Sequence, residues 1–458
     1  MNKTWMLLSM AGAIYAVFFW PFASWGVTVQ SVAVLVIIQL LWIGRVFKLA
    51  HSSIILILLL SFHFYTYDET LSYFGSGLVW LLFSTFILAY AFIQTGLAAR
   101  VSLYVLSLAK GSGKLLILVS FLLMFVLTVM IPSNIGKGSL VSSVLDDLSK
   151  SLKKVYEVNY IPKALFIGVA YVSAISGAFV PTGASSTIYA FGIFSEVSPS
   201  LTYMKWLLYF SVPMLSFVML LWLVFIFWYP EEKIEPMHVK NLIDRKMQEI
   251  GRLNPEEIRM MVIMLVTLGL WMSQPVHGYS IPLVGLLGAS LVVFPGIGVL
   301  KWEEATKGVN WDMMIFFAAT LMLANMLIDT GTVEVLVSFL VSHSNDWYSW
   351  VFVIGVLIIT SLIRVVFVNV LGFMTIMLPT AITLGEKLDS VTPLTLAMGV
   401  YLIGIPGFLL VTQSPVHLIS YSYGYFTDRD LFLVGLIAML IWIVIVCLTM
   451  LFYWSWII

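Results

Sequence analysis

The sequence predicts an all-α polytopic membrane protein: an inverted repeat with about eleven transmembrane helices and two re-entrant hairpins. Three observations predict it. Of 458 residues, 61% are apolar and 10% charged, against about 25% charged in a soluble globular chain. Mean hydropathy is +1.03, and apolar stretches recur along the whole length. A segment near residue 85 returns, half identical, 235 residues later. The 23 basic and 23 acidic residues balance, so no basic face remains for nucleic acid. The single cysteine, Cys447, excludes an internal disulfide and a cysteine-rich metal site. The HExxH, GxSxG, Walker A and CxxC signatures are absent, so no enzyme activity is expected.

Taken in order, the candidate membrane stretches lie near 4–24, 28–44, 51–66, 77–95, 115–145, 163–194, 205–229, 258–274, 281–299, 310–328, 347–385, 392–424 and 431–458. A helix rises about 1.5 Å per residue, so about 20 apolar residues cross the hydrocarbon core. The first stretch follows Lys3 and lacks a small-x-small cleavage site, so it reads as a transmembrane helix and not as a signal peptide. Trp20, Trp25, Trp454 and Trp456 sit at stretch ends, where indoles favour the lipid interface.

Basic residues set the orientation. With a cytoplasmic N-terminus, Arg45 and Lys48, then Arg100, Lys110 and Lys114, then Lys150, Lys153 and Lys154 all fall inside. So does the hydrophilic segment 231–257, with Lys233, Lys240, Arg245, Lys246 and Arg252. Outer loops keep only Lys205 and Lys387. The alternation holds only if 115–145 and 347–385 each enter and leave on one side, as re-entrant hairpins. The expected product is a multi-pass protein of the cell (plasma or inner) membrane with its C-terminus outside.

Residues 85–96, TFILAYAFIQTG, match 320–331, TLMLANMLIDTG, at six of twelve positions. The same offset of 235 carries Asn134 onto Asn369, and an offset of 230 carries Thr182 onto Thr412. The expected organisation is therefore a first repeat 1–230, an amphipathic cytoplasmic linker 231–257 and a second repeat 258–458. The paired hairpins open to opposite sides. Inverted repeats with broken apolar segments point to secondary transporters, because two opposed halves can exchange conformations of similar energy.

The polar residues at membrane depth are candidates for the site. The first hairpin turns at 132–139, PSNIGKGS. Non-helical backbone survives at that depth only inside protein or beside a water-filled cavity. Ser133 and Asn134 offer oxygens to a small cation or a carboxylate, and a tight turn satisfying its own backbone is the plainer reading. The second hairpin keeps Asn369, with Gly372 for close approach. Two hydroxyl-rich runs, 181–187 with Thr182 and Gly183 and 412–415 with Thr412 and Ser414, read as unwound helix or as small-residue packing. Lys137 and Arg364 are cations at depth and favour an anionic ligand, unless Lys137 pairs with Asp146 or Asp147 and Arg364 snorkels. His417 is a candidate proton carrier or a hydrogen-bonded structural histidine.

The stretch VWLLFSTFILAYAFIQTGLAARVSLYVLSLA, the hairpin PSNIGKGS, the run WDMMIFFAATLMLANMLIDTG and the closing PVHLISYSYGYFTDRDLFLVG resemble the divalent anion/sodium symporter family. The resemblance implies a dimerising scaffold domain, hence a homodimer, and a transport domain that moves like an elevator. It also implies hairpin tips bearing Ser-Asn-Thr and partner helices unwound at Thr-Pro-Pro-Asn, which together bind substrate and sodium. Carried over by position, Ser133 and Asn134 match the first tip, with Ile135 in place of its Thr. Asn369 matches the second tip, with Val368 and Val370 in place of Ser and Thr. Lys137 matches a basic residue in plant-type and citrate-type tips. A sodium ion would then lie by Ser133, Asn134 and Gly183.

The expected function is carriage of a small anion, a di- or tricarboxylate, by alternating access. Substrate would touch Ser133, Asn134, Lys137, Thr182, Gly183, Arg364, Asn369, Gly372, Thr412 and Ser414. No bound cofactor is expected, only Na+ or H+ as a coupling ion, or anion exchange if Lys137 or Arg364 supplies the charge. The alternatives are an inorganic oxyanion or lipid-linked phosphate as cargo, a membrane enzyme, and a non-transporting sensor on the same scaffold.

Overall fold

A computed structural model describes residues 3–22, 24–232, 234–342 and 349–458. Lys233 and positions 347–348, at the head of the second expected hairpin, lie outside the described residues. Among the described residues all regular structure is helical. The first half runs α1 (Lys3–Phe18), α2 (Val27–Ile43), α3 (Leu49–His63), α4 (Tyr67–Ser72), α5 (Gly77–Gln94), α6 (Leu97–Ser107), α7 (Gly113–Met130), α8 (Asn134–Lys153), α9 (Tyr160–Gly177), α10 (Ser185–Val197) and α11 (Tyr203–Trp228). Helix α12 (Pro236–Ile250) lies in the linker. The second half runs α13 (Pro255–Met272), α14 (Gln274–His277), α15 (Ile281–Val293), α16 (Trp302–Ala305), α17 (Trp311–Asp329), α18 (Thr332–Ser342), α19 (Ser349–Arg364), α20 (Val370–Glu386), α21 (Pro393–Gly404), α22 (Pro415–Ser422) and α23 (Asp428–Leu448).

The order of elements recurs. The series from α5 to α11 is matched helix for helix by α17 to α23, with interruptions at corresponding places. Helices α7 and α8 are separated by 131–133, and α19 and α20 by 365–369. Helix α9 stops at Gly177 and α10 resumes at Ser185, while α21 stops at Gly404 and α22 resumes at Pro415. Sequence explains most starts. Ser112, Thr202, Asn310 and Thr427 cap α7, α11, α17 and α23 through their side-chain oxygens. Asn254 and Glu257 form a capping box on α13, with Pro255 in its first turn.

Among the described residues six segments are long and apolar enough to cross a membrane: α5, α7, α9, α11, α17 and the stretch from α23 to Ile457. The others are shorter than the expected spans. Helices α1, α2, α3 and α15 hold 16, 17, 15 and 13 residues, because Pro, Gly and polar turns cut the apolar runs. The outer surface is itself apolar. Along α11, Leu208, Val212, Leu215 and Met219 are exposed on one face while Phe210, Met214, Phe217 and Leu221 are buried on the other. A helix apolar on both its faces is stable only where the solvent is hydrocarbon. The chain is a polytopic membrane protein.

The chain forms two compact units. One comprises Met1–Trp80, Gly192–Pro199 and Asn310–Gly404. In it α17 packs on α3, and α20 packs on α17, α18 and α21. The second comprises Leu81–Phe191, Ser200–Val309 and Ile405–Ile458. There α9 packs on α7, α8 and α22, and α11 on α23. In each unit the helix that leads into a long interruption is buried on all sides. Every residue of α9 from Ala164 to Gly177 is buried, and so is every residue of α21 from Leu396 to Gly404.

The linker is fastened to the second unit. Glu232 accepts backbone N–H bonds from Asn159, Tyr160 and Ile161, the last two at 2.8 Å, and so caps the start of α9 from about 70 residues away. Val239 and Ile243 of α12 are buried, and Lys246 meets Asp147 at 2.7 Å. Arg100 on α6 holds Glu257 with both arms, at 2.8 and 3.0 Å, and donates to the carbonyls of Gly251 and Arg252. Glu257 is 2% exposed. Removing one partner of a buried pair strands the other. R100A is therefore expected to cost about 3–5 kcal/mol, read as a fall in Tm in detergent. K114A, which breaks the exposed Lys114–Glu231 pair, should cost less than about 1 kcal/mol. Equal Tm values for the two variants would contradict this assignment.

Candidate functional site

In the second unit, Ile131 and Pro132 leave the helical path and Ser133 starts α8. The Ser133 hydroxyl accepts the N–H of Gly136 at 3.1 Å as an N-cap. The Asn134 carbonyl accepts the Ser173 hydroxyl at 3.1 Å. Its side-chain Oδ1 is buried with no hydrogen-bond partner among the described residues. Gly177, the last residue of α9, makes room for it: a Cβ there would stand 2.4 Å from that oxygen. Lys137 is fully buried and its ammonium donates to the Thr128 hydroxyl, tying α8 back to α7. It does not pair with the acids considered for it. Asp146 takes Lys150 and Tyr425, and Asp147 takes Lys246.

The 178–184 interruption closes over the same place. A Cβ on Gly183 would lie 2.5 Å from the Gly177 carbonyl oxygen and 2.5 Å from Thr128 Cγ2. Thr187 donates to that Gly177 carbonyl at 2.8 Å. Thr128, Asn134, Lys137, Gly177 and Gly183 therefore form one cluster. Thr182 is buried, 3.4 Å from the Tyr203 hydroxyl, and the Trp206 indole donates to the Ala178 carbonyl at 2.9 Å. Tyr203 stacks on Trp271 at 5.7 Å. A small open cleft adjoins Pro132 and Thr182 and is walled by Leu88, Met130, Met264 and Trp271 among others.

The 405–414 interruption ends in the same unit. Gln413 Oε1 accepts the N–H groups of Leu409 and Leu410 at 2.7 and 2.8 Å. His417 Nδ1 lies 3.1 Å from the Leu410 carbonyl, and since a carbonyl only accepts, Nδ1 carries the proton. Thr412 is exposed. Ser414 caps α22. Val416 abuts Gly138, where a Cβ would come within 2.6 Å, so α22 is seated on α8.

The other unit holds Arg364, Asn369 and Gly372. Asn369 caps α20, accepting the Leu371 N–H at 2.9 Å. Arg364 is 2% exposed, and its guanidinium donates to the carbonyls of Gly404, at 2.7 Å, and Phe367. Gly372 is not forced to be glycine by its neighbours, because an added Cβ would stand at ordinary contact distance, 3.5 Å from Trp42 and 3.6 Å from Phe316.

The structure thus gathers Ser133, Asn134, Lys137 and Gly183, with Thr182 beside them. It fixes Thr412, Ser414 and His417 around the second long interruption. Tyr203, Trp206, Gly177 and Gln413 belong to these clusters and were missed in the sequence. Two aromatics three residues apart just after a hydroxyl-rich run would have been the signal for the first pair. The geometry separates two glycines experimentally. G183A meets fixed backbone and should destabilise by about 1–3 kcal/mol, whereas G372A should change stability by less than about 1 kcal/mol. Thermal unfolding in detergent checks the contrast, and equal effects would refute it.

The profile of the family described as "Sodium:sulfate symporter transmembrane region" matches residues 1–458. The YflS protein of Bacillus subtilis (strain 168), provisionally named a malate transporter, is 28% identical over 298 residues, covering 62% of this chain and 60% of its own length. The citrate/succinate antiporter of Escherichia coli (strain K12) is 24% identical over 383 residues, 81% of this chain and 77% of its own length. The L-tartrate/succinate antiporter of the same strain is 21% identical over 400 residues, 82% and 78%. With the profile matched from end to end, the chain belongs to the sodium:sulfate symporter family of membrane transporters, the divalent anion/sodium symporters.

Proposed function

We propose that the chain is a secondary carrier of small di- or tricarboxylate anions working by elevator-type alternating access. The observation that carries the reading is the end-to-end family match, joined to relatives named for citrate, succinate, L-tartrate and malate. The recurrent order of interrupted helices supports an inverted repeat, 1–230 and 258–458, joined by the 231–257 linker. In this reading the two turns, at 131–133 and 365–369, are the tips of hairpins 115–145 and 347–385. They open from opposite sides of the cell membrane, with the N-terminus inside, the C-terminus outside and two copies paired.

Substrate lies between Ser133 and Asn134 on one tip and Asn369 on the other, with Thr182, Gly183, Thr412, Ser414 and Gly372 completing the pocket. The unsatisfied, buried Asn134 Oδ1 supports a ligand at the first tip, since a buried acceptor left unpaired costs about 1–3 kcal/mol. Oxygen donors at Ser133, Asn134 and around Gly183 suit a sodium ion. Lys137 or Arg364 balances the anion's charge. Among the described residues no carboxylate lies within 4 Å of Lys137. A cation fixed to the protein cannot leave with the substrate, so recrossing empty is costly and exchange of one anion for another is the favoured mode. In this reading His417, whose Nδ1–H is held by Leu410, would carry a proton on Nε2.

A second reading keeps the architecture and changes the cargo to an inorganic oxyanion. The family's own description names sulfate, and Val368 and Val370 make the second tip apolar. Reconstituted vesicles decide. Uptake of labelled succinate, citrate, malate or tartrate that requires an internal carboxylate is expected. Uptake of sulfate with none of carboxylate establishes the second reading, uptake from an empty interior eliminates obligate exchange, and uptake of neither, with lipid retained, favours a lipid-linked cargo or a non-transporting sensor. N134A and N369A should each lower apparent substrate affinity about 10-fold or more, the loss of one hydrogen bond to a charged group, with Tm preserved in N134A and lowered in N369A by the loss of the α20 cap. Unchanged affinity in both would remove the tips from the site.

A further inference from the structure

Arg364 ends α19, five residues before Asn369, and is a buried cation without a carboxylate partner among the described residues. Its donors instead reach two main-chain oxygens. Nε donates to Gly404 O at 2.7 Å, and Nη1 donates to Phe367 O. Gly404 is the last residue of α21, where the second long interruption begins. Phe367 lies in the turn that leads to Asn369. The last carbonyls of a helix have no intrahelical donor and carry the negative end of its dipole. Gly404 O is such an oxygen and Phe367 O lies in the turn after α19; the guanidinium satisfies both, while its Nη2 is buried without a partner among the described residues.

The surrounding side chains close a ring around this contact. Phe367 packs edge-on against Phe373 of α20 at 5.1 Å. Gly404 is so close to α20 that a Cβ would come within 2.6 Å of Phe373 and of Met374. The turn before Asn369, the first turns of α20 and the end of α21 therefore meet at one point, and Arg364 bonds two of the three.

We propose that Arg364 is a positioning residue that fastens the 365–369 turn to the end of α21, and thereby sets where Asn369 is presented, instead of touching the substrate itself. This rests on the reading of Asn369 as part of the pocket, but the fastening is measurable without substrate. Lysine would keep the charge and lose the fork, because an ammonium is a point donor on a flexible stem while a guanidinium presents several donors in a fixed plane.

The test uses full-length protein with Cys447 replaced by serine and V368C as the reporter. R364K and R364Q are each expected to raise the maleimide labelling rate at V368C about tenfold, with no substrate present, as the loss of two charge-assisted hydrogen bonds frees the turn. Both should weaken uptake to a similar degree. Labelling of R364K at the parent rate overturns the proposal, whether uptake survives, which marks the charge as sufficient, or fails, which marks a direct contact with the anion. If neither variant is stable enough to purify, hydrogen exchange on the parent protein decides. Slow exchange at 365–369, on the scale of the end of α21, is expected, and exchange as fast as in exposed loops overturns the fastening. Failure of carboxylate uptake in the parent protein would sink the pocket reading and leave these labelling and exchange outcomes untouched.

Discussion

A peptide group inside hydrocarbon must be hydrogen-bonded, and among the described residues this chain interrupts its apolar helices at 131–133, 178–184, 365–369 and 405–414. Each interruption frees N–H groups on one side and carbonyls on the other. The chain answers with side chains of matching polarity. Acceptors serve the N–H groups: Ser133 at α8, Asn369 at α20, Ser414 at α22 and Gln413 at Leu409 and Leu410. Donors serve the carbonyls: Trp206 at Ala178, Arg364 at Gly404 and Phe367, and His417 at Leu410. The residues that look chemically expressive in the sequence are thus, in the first instance, those that make non-helical backbone tolerable there.

The two halves obey that rule with different residues. At the end of α9 the stranded carbonyl is met by a neutral indole, and at the end of α21 by a guanidinium. Both helices are buried all round, so neither carbonyl has water as an alternative partner. The order of interrupted helices recurs while the side chains at the breaks differ. Only the backbone requirement is shared, and several side chains satisfy it.

That distinction explains what could be seen in advance. The membrane class and the four interruptions were legible, because they depend on local composition. PSNIGKGS holds a proline and two glycines, and 85–96 resembles 320–331 in its own letters. The partners were not legible. Nothing near Glu232 announces that it caps α9, nor near Trp206 that it serves Ala178, since those contacts join segments with no common pattern. Asp146 and Asp147 were the acids considered as partners for Lys137. The helix turns Asp146 instead toward Lys150, one turn on, and Tyr425. Gly372 suggested a tight approach that its neighbours do not make.

The two buried cations, alike in sequence, are electrostatically different. Arg364 faces the carbonyl that ends α21 and the carbonyl of Phe367 in the turn after α19, which offset part of its charge. Lys137 stands in the second turn of α8, near the positive end of that helix, and its ammonium meets a hydroxyl. Helix and side chain there add positive potential where Arg364 and those carbonyls partly cancel. An uncancelled positive centre in a low-dielectric surround is stabilised by an anion to a degree that bulk water would not allow. If one of the two governs coupling, it is therefore Lys137. Under the proposed exchange, the local charge would be complete only with an anion beside it, and the empty state would then stand at the higher energy.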